Sequence, residues 1–550
     1  MRIWWMIGVL VGALVVANPA HSSVRSELVP GEITEHLLAL LDAAGLLDTY
    51  MTGQRPLSRV EVARLIREAD AHYAHWTPRQ LDSARGLTAT NRQLLLLNQV
   101  DAGLAWLHET YATELRATHD PSTLRGVHVT PWQQLAMTQT ALDQDPRVIP
   151  GDVGLGIGIE AGTTPLTDHE EGRQYRDGPT TAFESWHAVQ LSPYLHFTAQ
   201  PRFSATVGTE GDWANPFPQR LYLTAGSRAV AALVGRTAVL WGPGDHGGLA
   251  LSDNVRPLDQ LRIGTPTPFQ LPGIFRHLGH WKVSVLGVHL GNDRTIPNAV
   301  LTGYRVDWLP HRTFTFGTEH LVMLGGRGAR APNVGEAMAS FFGLPFGSHR
   351  SVDANHMFAI DLHARIPAWR GTSLYLQWLL DNPSTQARLL FDHDAGWLIG
   401  AHIPRLSHDG LWTLRAEFAR IGRRVYRHEI YTSGWTLNGR VMGAPAGPDS
   451  HRLEVQLGHT LIPHSHTAAI VRVTQRRGDQ YRVAGGEIDT ERDLPDEWST
   501  ALLLDFRHTM TRHPLTWRLC GGYEHVWNAN FVGGEREKNV RGEIGLTLAL

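Results

Sequence analysis

From about Val127 to its last residue, this chain of 550 residues repeats one pattern: apolar and polar side chains alternate at a period of two. Phe358, Ile360, Leu362, Ala364 and Ile366 alternate with Asp361, His363 and Arg365. Trp412, Leu414, Ala416 and Phe418 alternate with Thr413, Arg415 and Glu417, and Leu453, Val455 and Leu457 with Arg452, Glu454 and Gln456. Leu502, Leu504 and Phe506, and then Leu515, Trp517 and Leu519, repeat it. Successive strand side chains point to opposite faces, so each run is a strand with one apolar and one polar face. Turn-forming groups such as Gly291-Asn292-Asp293 and Asp381-Asn382-Pro383 separate the runs.

A soluble sandwich or propeller would alternate too. Three features favour a large antiparallel transmembrane β-barrel. The pattern runs without a domain break, long side chains of both charge signs recur on its polar face, and the chain ends inside a strand at Ile544, Leu546, Leu548 and Leu550. At roughly 20 to 25 residues per strand and connection, the region holds about 16 to 20 strands, an even number being expected. In Gly154, Gly156 and Gly158, alternating with Val153, Leu155, Ile157 and Ile159, we read a strand with a bare inward face, against which the N-terminal helices could pack as a plug.

The first part of the chain is different. Arg2 followed by the apolar run from Ile3 to Ala17 and by Asn18-Pro19-Ala20-His21-Ser22-Ser23 reads as a signal peptide over 1–22. Residues 23–125 read as a helical domain. Ser58 with Glu61 forms a capping box, and Val62, Leu65 and Ile66 recur on one helical face. Thr77-Pro78-Arg79-Gln80 predicts a second start, Asn91 a third helix carrying Leu94, Leu95, Asn98, Ala102, Ala105 and Trp106, and Ile33 to Leu47 a fourth. Residues 126–550 are then the barrel.

Composition narrows the function. The net charge is −3 and there is no basic run, which points away from nucleic acid. The single cysteine, Cys520, permits no intrachain disulfide. Neither His464-Ser465-His466 nor Asp392-His393-Asp394 has a spacing that closes a metal site, so no metal or cofactor is expected. Polar-face carboxylates such as Asp361, Glu417, Glu454 and Asp505 are ordinary in barrels. No Gly-x-Ser-x-Gly or His-Glu-x-x-His motif occurs, so a non-enzymatic protein is expected.

One segment stands apart. Residues 240–257 read Leu-Trp-Gly-Pro-Gly-Asp-His-Gly-Gly-Leu-Ala-Leu-Ser-Asp-Asn-Val-Arg-Pro. This segment resembles the central signature of the Wzi-type capsule assembly family. Residues 55–63, Arg-Pro-Leu-Ser-Arg-Val-Glu-Val-Ala, resemble its early helical motif, and residues 443–450, Gly-Ala-Pro-Ala-Gly-Pro-Asp-Ser, a later one. The resemblance implies an 18-stranded outer-membrane barrel with helices on the periplasmic side, holding capsular or extracellular polysaccharide at the cell surface. The implied partners are that polysaccharide and outer-membrane lipids, and we expect a monomer. Sugars need aromatic faces and fixed polar groups. Trp241, Asp245, His246, Asp253, Asn254 and Arg256 offer both, as candidate glycan contacts; the alternative puts Trp241 in the interfacial aromatic girdle and has the glycines and Arg256 shape a barrel turn or constriction. The competing reading is a diffusion channel for small polar solutes, with Lys282, Arg305, Asp307, Arg365, Arg415 and Glu417 crossing or lining the lumen.

Overall fold

The computed structural model describes residues 26–550 except 30, 32, 85–89, 120–125, 153, 209–210, 228, 344–352, 383–390, 462–463, 479, 485–486, 493 and 511–513. The predicted signal segment lies outside the described residues.

Eighteen strands close into one antiparallel barrel. They are β1 His128–Leu142, β2 Gly178–Ser192, β3 Leu195–Gly208, β4 Gly211–Gly226, β5 Ala231–Thr237 and β6 Leu258–Gly264. The wall continues with β7 His280–His289, β8 Val300–His311, β9 Phe314–Leu324, β10 Ala354–Ile366, β11 Thr372–Asp381 and β12 Ala395–Ile403. It ends with β13 Trp412–Ile421, β14 Ser450–Leu461, β15 Ser465–Arg476, β16 Glu497–Thr509, β17 Leu515–Trp527 and β18 Arg536–Ala549. Each strand pairs with its chain neighbours, and β18 returns to β1 from Gln134↔Ala549 to Leu142↔Arg541, so no wall edge is left open.

The alternation resolves inside out. Leu502, Leu504 and Phe506 are exposed, while Asp361, Arg365, Glu454 and Asp505 are buried in the lumen. The outer wall is thus an apolar band for lipid. Trp281 and Trp308 (rings stacked 5.4 Å apart), Trp412 and Trp517 stand outward towards one end. Trp378, Trp397, Trp498 and Trp527 stand outward towards the other. Trp517 and Trp527 sit on one strand, about 34 Å apart at ordinary strand rise. At the usual tilt that is roughly 26 Å of height, enough for the apolar band of an outer-membrane barrel.

The two ends differ. Tight turns such as 312–313 and 367–371 occupy one end, and long connections such as 143–177, 238–257, 325–353 and 422–449 the other. The helices α1 Ile33–Ala43, α2 Arg59–Ala84, α3 Thr90–Thr110 and α4 Ala112–His119 lie against the tight-turn end. Arg365 on β10 donates to the backbone carbonyls of Asp42 (2.8 Å) and Leu47 (3.2 Å), and Gly371 packs on Ala43. The helices share their own core, including Leu37, Leu41, Val62, Leu65, Ile66, Val100, Leu104 and Tyr111.

Several local expectations change. The Glu61 amide donates to Ser58 Oγ (3.2 Å), but the Glu61 carboxylate pairs with Arg64 (2.7 Å). The predicted start at Thr77 is interior to α2, which runs through Pro78. Proline removes the bond to the carbonyl of Ala74, and Ala74 is exposed, so water can take that carbonyl. On α3 the buried face is Leu96, Val100, Leu104 and Leu107, while Asn98 and Ala105 face solvent. The Gly154–Gly158 stretch is not a wall strand. It lies in the 143–177 connection, where Gly158 bridges His428, so a loop approaches it rather than the helices.

Candidate functional site: the lumen plug

Four connections from the long-loop end fold back into the barrel and share one apolar core, the shortest of them, 290–299, supplying Leu290, Ile296 and Ala299. Ile149 and Ile159 come from 143–177. Trp241, Leu249, Leu251 and Val255 come from 238–257, and Tyr426, Tyr431, Trp435, Val441 and Met442 from 422–449. Inward wall residues such as Leu301, Leu321, Met357 and Leu379 complete it.

The segment 240–257 turns back on itself through the bridges Trp241↔Leu251 and Gly247↔Ser252. Gly247 has φ +108°, a conformation that L side chains rarely adopt. The hairpin is stitched to 422–449 by backbone as much as by side chains. Ser252 N–H donates to Met442 O (2.8 Å), Ser252 Oγ to Gly443 O (2.8 Å) and Asn254 Nδ2 to Val441 O (2.9 Å). Tyr426 Oη donates to Leu249 O (2.5 Å) and accepts from Ala444 N–H (3.0 Å), and Trp435 Nε1 donates to Ala250 O (2.9 Å). On its other side, Leu240–Trp241 pairs with Gln54–Arg55, and Arg55 donates to Gly244 O. Three segments far apart in the chain, at 55–63, 240–257 and 443–450, therefore meet in one body.

Charged side chains fix this body to the wall. On 143–177, Arg147 pairs with Glu524 (2.7 Å), Asp168 with Arg452 (2.7 Å) and Glu170 with Arg541 (2.6 Å). Deeper, fully buried Arg305 meets Asp307 (2.7 Å), Asp361 (2.9 Å) and Glu319 (3.1 Å). Such pairs add little net stability, but removing one partner strands a buried charge.

The six candidate residues have distinct places. Trp241 is 1% exposed and Asn254 equally buried, both packed into the plug. Asp245 pairs with Arg415 (2.8 Å), and its amide donates to Glu417 (2.7 Å). Arg256 reaches Asp259 (3.2 Å) and lies over the Phe217 ring. His246 and Asp253 belong to a clamp that sequence reading missed. His169 Nδ1 and His246 Nδ1 meet the two oxygens of Asp253, at 2.7 and 2.9 Å, with the imidazoles stacked at 3.9 Å. No spacing rule links His169 to the other two, since it arrives from another connection.

Burial opposes charge on His246, but the Asp253 carboxylate, helped by Glu454 and Asp245, outweighs it and holds the imidazole well above its ordinary pKa. Burial and the charged neighbour bring His169 down to about 4, against the pull of Asp253. Burial would raise Asp253, yet the two imidazoles hold it at about 2. Among the described residues, these three are also the group whose ligand atoms lie close enough together to hold a metal ion, within 4.8 Å of one another. Their separations, 2.7 and 2.9 Å, are those of hydrogen bonds.

Where the plug meets the helices lies a polar cavity of about 170 Å³, lined by Glu35, His36, Arg55, Asp245, His363 and Arg415 among others. At about 10 to 15 Å³ of such volume per water, it has room for on the order of ten waters.

Fold and site together define a class: an 18-stranded membrane barrel whose lumen is filled by its own loops. The family model for capsule assembly protein Wzi matches residues 160–540, and this chain belongs to that family. Among solved structures, the chain resembles Escherichia coli Wzi, an outer membrane protein involved in group 1 capsule assembly and described as a carbohydrate-binding β-barrel. The TM-score is 0.63 at 14% identity, covering 96% of this chain and 99% of that one. Pseudomonas aeruginosa OprD gives a TM-score of 0.43 at 10% identity (78% and 98% covered). Acinetobacter baumannii OccAB4 gives 0.41 at 9% (78% and 99%). No curated protein sequence matches the chain significantly.

Proposed function

We infer that this protein is a non-catalytic outer-membrane barrel that binds capsular or extracellular polysaccharide and holds it at the cell surface. The family carries the polysaccharide part of this reading, and the filled lumen is the observation that favours holding over transport. Four loops and the Arg305 cluster occupy the space through which a solute would pass. A non-catalytic role is supported by the state of the lumenal carboxylates. Asp361 is held by Arg305 (2.9 Å), Glu454 by Arg472 (2.9 Å), Asp505 by Arg518 (2.7 Å), and Glu417 by the Tyr375 hydroxyl (2.5 Å).

In this reading the barrel sits in lipid as a monomer, with the helices at the periplasmic face and the long loops outside. The leader at 1–22 is removed on export. The signature residues act mainly through the plug. Trp241, Asn254, His246, Asp253 and Arg256 fix its shape, and Asp245 presents a carboxylate to the cavity beside Arg415.

The decisive experiment deletes the gene in the source cell and measures glycan on the cell against glycan in the medium. Glycan shifting from cell to medium at unchanged total output is the expected result. Unchanged retention would end the attachment reading.

A further inference from the structure

The 325–353 connection carries one more helix, α5 Val334–Phe342. Its start is well specified: Asn333 Oδ1 accepts from the Glu336 amide (2.9 Å) and the Glu336 carboxylate accepts from the Asn333 amide (2.9 Å). Unlike the plug loops, it does not enter the lumen. It packs on the outside of the wall.

The parity of the strands makes this plain. Arg305, Glu319 and Asp361 are lumenal, so Tyr304, His320, His356 and Phe358 face outward. Phe341 of α5 lies against the Tyr304 ring (5.5 Å), and its carbonyl meets His320 Nδ1 at 3.0 Å. His320 Nε2 is in turn 3.3 Å from His356 Nδ1, with the two rings stacked. Imidazoles on a lipid-facing wall are costly unless something polar meets them and something apolar covers them. The helix does both, and His320 is left 6% exposed.

Among the described residues, nothing covers the apolar far side of α5. Val334, Met338 and Phe342, spaced by four residues on one stripe, are 82%, 50% and 50% exposed. Glu336, the one charged residue of the helix, is paired with Arg330 (2.7 Å). The place where α5 meets the wall, at Tyr304 and His320, identifies its neighbour. His320 lies in the row of Phe358 and Leu380, one outward position past the row of Thr318, Ile360 and Trp378. Trp378 stacks with Trp397 and with Phe391, in the aromatic girdle of the long-loop end. That is headgroup level, where an amphipathic helix settles.

We propose that α5 is a membrane-interface anchor: its Val334–Met338–Phe342 stripe inserts into the lipid surrounding the barrel at the long-loop end. It ties the 325–353 connection to the bilayer rather than to solvent or to a second protein. The proposal rests on the barrel spanning a membrane and is independent of any glycan.

The test uses the full chain with Cys520→Ala and single replacements Val334→Cys, Met338→Cys and Phe342→Cys. Each is spin-labelled and reconstituted in phosphatidylcholine vesicles, and accessibility to oxygen and to a water-soluble nickel chelate is measured. Leu504→Cys on the wall and Glu535→Cys in an exposed loop are the lipid and water references, and heat-modifiable mobility confirms folding. Expected is favoured oxygen access at all three positions, at a depth of about 5–10 Å below the headgroup boundary. Nickel access matching Glu535→Cys overturns the anchor. Exclusion of both reagents also overturns it, in favour of a protein partner. Nickel access at Leu504→Cys as well would remove the spanning reading on which the proposal stands.

Discussion

His246 and His169 share one carboxylate yet titrate in opposite directions. His246 is raised, so in the folded state it holds a proton that the unfolded chain loses above about pH 6.5. Its contribution is complete below that pH and fades as pH rises towards the raised folded value. His169 is depressed to about 4, so its contribution is complete above about 6.5 and fades as pH falls towards 4. Thermal unfolding of the purified barrel should therefore lose stability on both sides of near-neutral pH. His246→Gln should flatten the alkaline side and His169→Gln the acid side; profiles unchanged by either would remove the clamp from the stability account. Gly443 gives a second prediction at this scale. A β-carbon there would collide with the Leu249 carbonyl, where two backbones meet. Gly443→Val should destabilise the plug by about 1–3 kcal/mol, read as a lower melting temperature, whereas exposed Gly542, where an added β-carbon meets nothing, should accept a side chain more cheaply.

The connection, not the strand, is the element that separates this barrel from an open pore. The wall would enclose an 18-stranded lumen, and strands alone would leave it wide. The 422–449 connection supplies Tyr426, Tyr431 and Trp435 to the plug core and exchanges hydrogen bonds with 240–257 at Leu249, Ala250, Ser252 and Asn254. Shortening it by removing residues 427–446 should convert a silent barrel into a conducting one in planar bilayers, with the wall intact by heat-modifiable mobility. An already conducting parent protein would restore the diffusion-channel reading. The helices show a milder lesson of the same kind. Ser58, Val62, Leu65 and Ile66 were readable because the capping residue and the apolar face are local. The start expected at Thr77 failed because the turn before Pro78 is itself helical, so the proline interrupts one bond of a longer helix instead of opening a new one.

At the scale of the whole molecule, a barrel reverses the usual sorting, with apolar side chains towards lipid and charge inside, and the period of two records both faces at once. The strand pattern, the closing strand and the helical N-terminal part were therefore legible residue by residue. So was the importance of 240–257, though not its manner of acting. Trp241 could be read as a face offered to a sugar or as a residue of the aromatic girdle, and tertiary packing buries it against Gln54 and the plug core. Which loops enter the lumen, and which one folds outward as α5, depends on where distant backbones meet. No local period encodes the encounter of His169 with Asp253, or of Leu249 with Gly443. What the sequence determined by itself was whatever repeats within a few residues: strand parity, helix faces and turns. What only the tertiary structure decided was the filling of the barrel, because long connections pair with partners hundreds of residues away, through hydrogen bonds that leave no periodic trace.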